Sequence, residues 1–309
     1  MTAAPEAPPR GATRAPAPAC AWCGSLGRPE AGRLAVCDAC GAATTYPPPD
    51  DAELEAAYSG WYRPAAGRFT GGGDRVLRGS RATLARRLDE RAPPGPALDV
   101  GCGEGALLDA LHARGREAVG LERVTSRPDV RAREVTAFDE RVGEWAAVVF
   151  WHSLEHLREP AAALTRACEL LRPGGLLVVA IPNRASWQAR LLGERWFGRD
   201  VPRHLVHLPA PTLIDFVHGR GLGIERVSYW RGGQVMFGWL QGIVAVIPGH
   251  LDLYDAIRRP DARSRQLSPA QRLAAVAAGV AAAPLALALA AAEVGARAGG
   301  TVYLEARRP

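Results

Sequence analysis

The 309-residue chain contains no lysine: all 38 of its basic residues are arginine, set against 32 acidic residues. The net charge of +6, taken with the abundance of alanine, glycine and proline, reads as coding bias rather than as a signature for a polyanion. No arginine-rich run interleaved with aromatics appears, as a groove for DNA or RNA requires, so no nucleic-acid partner is expected. The N-terminus also lacks a basic segment followed by an apolar core. Without that secretory signal the expected compartment is the cytoplasm, with the inner face of a membrane as a variant. Internal repeats are absent.

Cysteine is scarce and unevenly placed. Of six, four form the pairs Cys20-x-x-Cys23 and Cys37-x-x-Cys40, while Cys102 and Cys168 stand alone. Paired cysteines in a chain with no secretory signal favour metal over disulfide. Two tight turns can each present two thiolates and close a tetrahedral site with no open position, so Cys20, Cys23, Cys37 and Cys40 are the expected ligands of a structural zinc ion. Iron would accept the same four ligands, and a redox dithiol would need only one pair. A segment this short cannot hold a core alone, and the metal would supply its folding energy.

The organisation follows from composition and periodicity. Residues 1–18 have no apolar period and read as a disordered tail. Residues 19–45 form the cysteine module, and 46–94 a linker with helices. That linker holds Tyr46-Pro47-Pro48-Pro49, a short helix capped by Asp50 or Asp51, a flexible loop at 71–73 and an amphipathic helix through Val76, Leu77, Leu84 and Leu88. From residue 95 to 309, apolar runs at Ala97–Val100, Ala118–Leu121, Ala147–Trp151 and Leu176–Ile181 alternate with helical stretches at Glu104–Arg114 and Pro160–Leu171. Continuous apolar runs separated by helices are what a parallel sheet covered on both faces requires. The expected fold class is therefore α/β, doubly wound. Helix Thr212–Gly221 and strands Ile224–Trp230 and Thr301–Ala306 should complete it. An insertion at 231–298, roughly seventy residues, is too long for an ordinary connection.

A strand ending in Asp99, then Gly101, Gly103 and Gly105, then a helix, is a nucleotide-binding turn in which glycines bring backbone N–H groups against a ligand. A dinucleotide site would want its third glycine where Ala106 stands. The acidic flanks Asp99 and Glu104 suit a ligand bearing a sulfonium and an ammonium better than a diphosphate. The next strand ends in Glu122, placed to accept both ribose hydroxyls of an adenosine.

At this point the chain resembles the class I S-adenosylmethionine-dependent methyltransferases. The resemblance rests on Leu98 to Gly105, Glu122, Trp151-His152-Ser153-Leu154-Glu155-His156-Leu157 and Leu171-Arg172-Pro173-Gly174-Gly175-Leu176, and covers roughly Tyr46 onward. It implies a seven-stranded Rossmann-like sheet of order 3-2-1-4-5-7-6 with the last strand antiparallel. It also implies that Asp99, Gly101, Cys102 and Gly103 line the donor's amino-acid part, that Glu122 holds the ribose, and that His152 and Ser153 border the sulfonium. The family's acidic residue near the adenine is not assigned around Glu134-Val135-Thr136. Trp145-Ala146 replaces the family's Phe-Asp at the start of the fourth strand. Zinc ribbons of the kind seen here precede the methyltransferase domain in some sugar and natural-product methyltransferases.

His152, Glu155 and His156 share one face if their segment is helical, and such a set could bind a divalent metal. Some relatives carry Glu-x-x-Glu-His there; the plain alternative is a structural Leu-Glu-His-Leu loop. His204 and His207 should sit over the acceptor side, at the C-terminal ends of the strands. A hydroxyl or amine acceptor must lose a proton, which makes one of His152, His204 and His207 the candidate general base.

No charged residue occurs from Leu273 to Ala292, a length sufficient to cross a bilayer. The run is mostly alanine and holds Gly279 and Pro284, and a second apolar run, Val235–Pro248, is also broken. A final strand returning to the sheet argues against a crossing. Peripheral membrane contact through 235–298 and a packed or homodimeric interface are both open. The expected activity is methyl transfer from S-adenosylmethionine to O, N or C of a small or lipid-linked acceptor such as a sugar, natural product or quinone precursor. The alternatives are a zinc-ribbon scaffold with an inactive domain, and an RNA methyltransferase.

Overall fold

The computed structural model describes residues 17–59, 67–70, 72–230, 233–249 and 251–309. The tail reading for 1–18 lies outside these apart from its last two residues, as do Trp61, Tyr62 and Gly71. In chain order the elements are β1 (Gly27–Glu30), β2 (Leu34–Cys37), β3 (Ala43–Thr45), α1 (Asp51–Ala57), α2 (Gly73–Arg91), β4 (Ala97–Val100), α3 (Ala106–His112), β5 (Ala118–Glu122), β6 (Val130–Ala132) and β7 (Trp145–Trp151). There follow α4 (Pro160–Leu170), β8 (Leu171–Pro182), α5 (Trp187–Leu192), β9 (Val206–His207), α6 (Ala210–Gly219), β10 (Gly223–Ser228), α7 (Gly233–Ala245), α8 (Leu253–Ile257), α9 (Pro269–Gly295) and β11 (Thr301–Arg307).

Seven strands form one sheet in the order β10-β11-β8-β7-β4-β5-β6. The pairs among β6, β5, β4, β7 and β8 are parallel, and β11 runs antiparallel to both β8 and β10. Counting only this sheet, that is the expected 3-2-1-4-5-7-6. The centre of the sheet is covered on both faces: Trp145 through Phe150 are at most 1% exposed, so the alternating side chains of β7 feed two cores. One core packs Val148 and Phe150 with Leu164 of α4 and Leu213 of α6. The other packs Val149 and Trp151 with Leu84 and Leu88 of α2 and Leu107, Leu108 and Leu111 of α3. Trp145, where the family pattern has Phe, packs against Phe138 and donates its indole N–H to the Glu140 carbonyl at 3.0 Å. Ala146, where the family pattern has aspartate, is fully buried beside it.

Two local expectations are corrected. Val76 and Leu77 are exposed, and α2 buries only Leu84, Ala85 and Leu88; its first two turns point away from the core. Gly279 and Pro284 do not interrupt α9, which runs as one 27-residue helix from a capping box at Ser268 and Gln271. Pro284 faces solvent, where one lost backbone bond can be hydrated. Gly279 is instead an approach point: a Cβ there would lie 3.0 Å from Leu253 Cδ2 of α8.

The cysteine segment is not a separate bead. Its three antiparallel strands extend through β9 of the larger unit, in the order β1-β2-β3-β9. Trp22, Cys20 and Cys37 belong to the same buried cluster as β7 and β8, and the Trp22 and Phe216 rings are 4.6 Å apart. Thr212 Oγ1–H donates to the Cys40 carbonyl at 2.7 Å.

Candidate active site

β4 ends in a turn whose glycines Gly101, Gly103 and Gly105 have φ of 75°, 59° and 81°. At Gly101 the restriction is double: φ is left-handed, and a Cβ would lie 2.5 Å from Ser153 Cβ. Ser153 Oγ–H donates to the Val100 carbonyl at 2.5 Å, which clamps the loop after β7 to the end of β4. Behind the turn, Gly103 N–H donates to Glu122 Oε2 at 2.9 Å and Arg123 N–H to Oε1 at 3.0 Å. Glu122 thereby fixes the turn as well as the end of β5.

A cavity of about 740 Å³ opens over the C-terminal ends of β4, β7 and β8. Gly101, Cys102, Gly103 and Glu104 line one end, with Trp151 and His152; Glu155, His156 and His204 line the middle. Asp99 and Ser153 are buried in the wall, and neither they nor Glu122 line the cavity. His207 departs furthest from expectation. It is 3% exposed, lies outside this cavity, and its Nε2 is 3.4 Å from Thr45 Oγ1 at the joint of β3 and β9. Burial, followed by the charge of His204, pushes its pKa well below the usual histidine range. His207 is a strut of that joint rather than a group on the acceptor side.

His152, Glu155 and His156 do not share a helical face. His152 takes φ of 54°, an uncommon conformation for a non-glycine residue, and only Leu154–His156 forms a single 3₁₀ turn. The grouping is different from the expected one. His152 Nδ1 is 3.4 Å from Glu155 Oε1, and His204 Nε2 is 3.9 Å from that oxygen and 3.7 Å from Asp200 Oδ2. One ligand-type atom each from Glu155, His156 and His204 lies within 4.8 Å of the others. His156 Nδ1 is 2.9 Å from the Arg203 carbonyl and His204 Nδ1 is 2.9 Å from the Gly198 carbonyl. A carbonyl can only accept, so His204 Nδ1 carries the proton and its Nε2 is left for chemistry, whereas His156 Nδ1 also meets the Tyr58 hydroxyl at 2.8 Å, which can donate to it or accept from it. Burial opposes the charge of Glu155, but His152, His204 and His156 hold its carboxyl below the ordinary range. Burial and the charge of His204 push His156 down to about 4.

The ribbon helps place these groups. Thr45 Oγ1–H donates to the His204 carbonyl at 2.6 Å, Thr45 N–H donates to Leu205 O at 3.0 Å, and Leu205 N–H donates to Glu155 O at 2.7 Å. Cys20 Sγ and Cys40 Sγ are 3.7 Å apart, Cys23 Sγ and Cys37 Sγ 3.5 Å, and all four sulfurs lie within 4.8 Å of one another. A tetrahedron with metal–sulfur bonds of ~2.3 Å has edges of about 3.8 Å, so the four thiols fit such an ion.

Sequence reasoning overlooked several cavity residues. Arg81, on α2, places its guanidinium 4.9 Å above the Trp151 ring, and Tyr254, Arg258 and Arg259 enter from the insertion. The arginines of α2 recur at three-residue spacing, a visible signal that the uniform arginine content of the chain concealed.

A family model described as a methyltransferase domain matches residues 74–227, about half of the chain. A ubiquinone biosynthesis O-methyltransferase of Xanthomonas axonopodis pv. citri is 26% identical over 159 residues, covering 42% of this chain and 64% of its own length. The corresponding protein of Xylella fastidiosa is 28% identical over 203 residues, with 56% and 77% covered. A probable S-adenosylmethionine-dependent methyltransferase of Mycolicibacterium smegmatis is 28% identical over 189 residues, with 53% and 70% covered. Among solved structures, a SAM-dependent methyltransferase from Archaeoglobus fulgidus aligns at a TM-score of 0.47 with 15% identity, covering 76% of this chain and 97% of that one. A Burkholderia thailandensis 1,6-didemethyltoxoflavin-N1-methyltransferase with bound S-adenosylhomocysteine aligns at 0.43 with 15% identity, covering 90% and 96%.

Proposed function

This chain carries a class I S-adenosylmethionine-dependent methyltransferase domain, and from that premise we propose that it methylates O, N or C of a small or lipid-linked acceptor. One observation carries the reading: the glycine turn with Glu122 behind it opens into the same cavity as a buried Glu155 ringed by histidines. S-adenosylmethionine, when bound, supplies a methyl group already activated on a sulfonium. The chain then has to align the reactants and exclude water. The backbone from Gly101 to Gly103 cradles the donor's amino-acid part, with Asp99, Cys102 and Ser153 shaping the turn. Glu122 is assigned the ribose hydroxyls and Arg81 the donor carboxylate. His152 and His204 are the two candidates for taking a proton from an O–H or N–H acceptor. His204 is favoured, because an imidazolium formed there would face both Glu155 and Asp200. The ubiquinone biosynthesis relatives make a quinone-like phenol one member of the acceptor class. Titration with S-adenosylhomocysteine tests the reading, and a protein that binds none refutes it.

A second reading concerns the same three side chains. Glu155, His156 and His204 fit a divalent cation, since one ligand-type atom of each lies within 4.8 Å of the others and His204 presents Nε2 with Nδ1–H held by the Gly198 carbonyl. Neither Glu155 oxygen accepts a hydrogen bond among the described residues. Manganese uptake that disappears in Glu155→Ala supports it; full activity after dialysis against a chelator, with no metal retained at this site, leaves His204 as the base.

The four ribbon cysteines are assigned a structural zinc ion, and residues 19–45, 46–94 and 95–309 the roles of ribbon, linker and catalytic unit. Residues 235–298 are proposed to rest on a membrane surface, with self-association as the other use of the same face. The carrying feature is α9: Leu273, Val280, Leu285 and Leu287 are each more than half exposed.

A further inference from the structure

The cavity is lined with arginine. Arg75 and Arg78, one turn apart on α2, line it together with Arg68, Arg258 and Arg259. These segments are separated by 190 residues yet tied together. Phe69 and Arg258 form an isolated antiparallel bridge, Thr70 N–H donates to Ile257 O at 3.1 Å, and Arg259 N–H donates to Arg68 O at 3.0 Å. Arg259 Nε–H donates to the Phe69 carbonyl at 3.1 Å. Arg258 is fully buried, with its guanidinium 4.9 Å over the Tyr254 ring. The insertion therefore brings its arginines to those of α2.

Of the five carboxylates lining the same cavity, four have partners of their own. Asp200 pairs with Arg203. Asp74 accepts from the backbone N–H groups of Arg68 and Phe69. Asp252 caps α8, Glu155 faces histidines, and Glu104 stands at the glycine turn. No ion pair joins Arg75, Arg78 or Arg259 to a carboxylate among the described residues. Elsewhere some arginines do find partners: Arg91 meets Glu225, Arg114 meets Asp89, and Arg127 meets Asp109 and Asp129. Arg75, Arg78 and Arg259 thus bring positive charge to the cavity that no carboxylate among the described residues pairs with. In the methyl-transfer reading Arg81 meets the single carboxylate of the donor, which leaves Arg75, Arg78 and Arg259 for another anion.

Resting on the methyl-transfer reading, we propose that the acceptor bears a phosphate or diphosphate group, held by Arg75, Arg78 and Arg259 while its reacting atom points inward to His152 and His204. Several guanidinium forks around one mouth match the charge and tetrahedral oxygens of a phosphoryl group. The same chemistry serves a free phosphate ester and a lipid-borne phosphate.

The test uses the full chain saturated with S-adenosylhomocysteine. It is titrated with inorganic pyrophosphate, with glucose 1-phosphate, and with phosphatidylcholine vesicles containing undecaprenyl phosphate; glucose and plain vesicles are the controls. Pyrophosphate and glucose 1-phosphate should bind, and Arg75→Gln with Arg78→Gln, or Arg259→Gln alone, should weaken them by about tenfold or more. S-adenosylhomocysteine affinity should stay within about twofold, since these side chains do not meet the donor. Tighter association with the undecaprenyl phosphate vesicles than with the free esters assigns a lipid source; equal or weaker association assigns a free ester. A protein that binds S-adenosylhomocysteine but neither pyrophosphate nor glucose 1-phosphate overturns the proposal, as does binding unchanged in the arginine variants. Failure to bind S-adenosylhomocysteine while pyrophosphate still binds removes the methyl-transfer reading and leaves the anion site standing.

Discussion

Glu122 and the two histidines His204 and His207 mark the limits of what single residues disclose. Glu122 stood out from its spacing behind the glycine turn, and the structure adds that its oxygens hold Gly103 and Arg123 N–H groups. Replacing it with glutamine keeps a carbonyl acceptor but removes the charge that would strengthen bonds to ribose hydroxyls. Glu122→Gln should weaken S-adenosylmethionine binding by roughly tenfold, with little change in folding; equal affinity in calorimetry would contradict its role. His204 and His207 look equivalent in sequence, three residues apart. What separates them is Thr45, which lies 162 residues from His207 and belongs to the ribbon strand that covers one histidine and leaves the other facing the cavity. No local pattern encodes that pairing. His204→Ala should lower kcat by about a hundredfold or more if it is the base, whereas His207→Ala should act chiefly on thermal stability.

At the level of elements, the parallel strands were legible because their short apolar runs alternate with helical stretches, unlike the longer runs that form α7 and α9. Helix ends and buried polar partners were not. On α2 the apolar period continues through Val76 and Leu77, yet the core stops at Leu84. The helix is held at its far end by Arg87, whose Nε and Nη2 donate to the two oxygens of Glu305 at 2.7 and 2.8 Å. Glu305 lies in β11 with its side chain fully buried. Arg87→Met should therefore cost on the order of 3–5 kcal/mol by stranding that charge, and Arg87→Met with Glu305→Met should recover most of it. Burial opposes ionisation of Glu305, but Arg87 and Tyr303 hold its carboxyl below the usual range. A depressed folded-state pKa stabilises above the ordinary carboxylate range and loses that contribution as pH falls through the folded value. Urea denaturation should accordingly show the gap between wild type and Glu305→Gln closing on acidification. The ribbon is a further element whose role exceeds its size. Cys20→Ser with Cys37→Ser should abolish bound zinc and lower the melting temperature of the whole chain, because both side chains sit in the main core. Unchanged metal content would refute the assignment.

At the scale of the whole molecule, the sheet order and the position of the insertion followed from the chain, while the insertion's purpose emerged only in three dimensions. α9 is long and apolar enough to cross a membrane by length and composition, and only 22% of its most apolar stretch is buried. It packs on α7 and α8 through residues such as Ala286, Ala290 and Ala275, and the chain then enters β11 beside β8. That tether favours a helix lying along a surface over one that spans. Flotation with anionic liposomes should carry the wild-type chain upward, and Leu273→Gln with Val280→Gln and Leu285→Gln should release it. A wild type that does not float but sediments as a dimer, reverting to monomer in the same variant, would assign the face to self-association instead.

The central claim is that the turn from Asp99 to Gly105 holds S-adenosylmethionine. Isothermal titration of the full chain with S-adenosylhomocysteine tests it most directly. One site per chain is predicted, with affinity reduced at least about tenfold in Gly101→Ala, where the new methyl group would meet Ser153. No heat of binding from a folded wild-type protein, or undiminished affinity in a folded Gly101→Ala variant, would contradict the account.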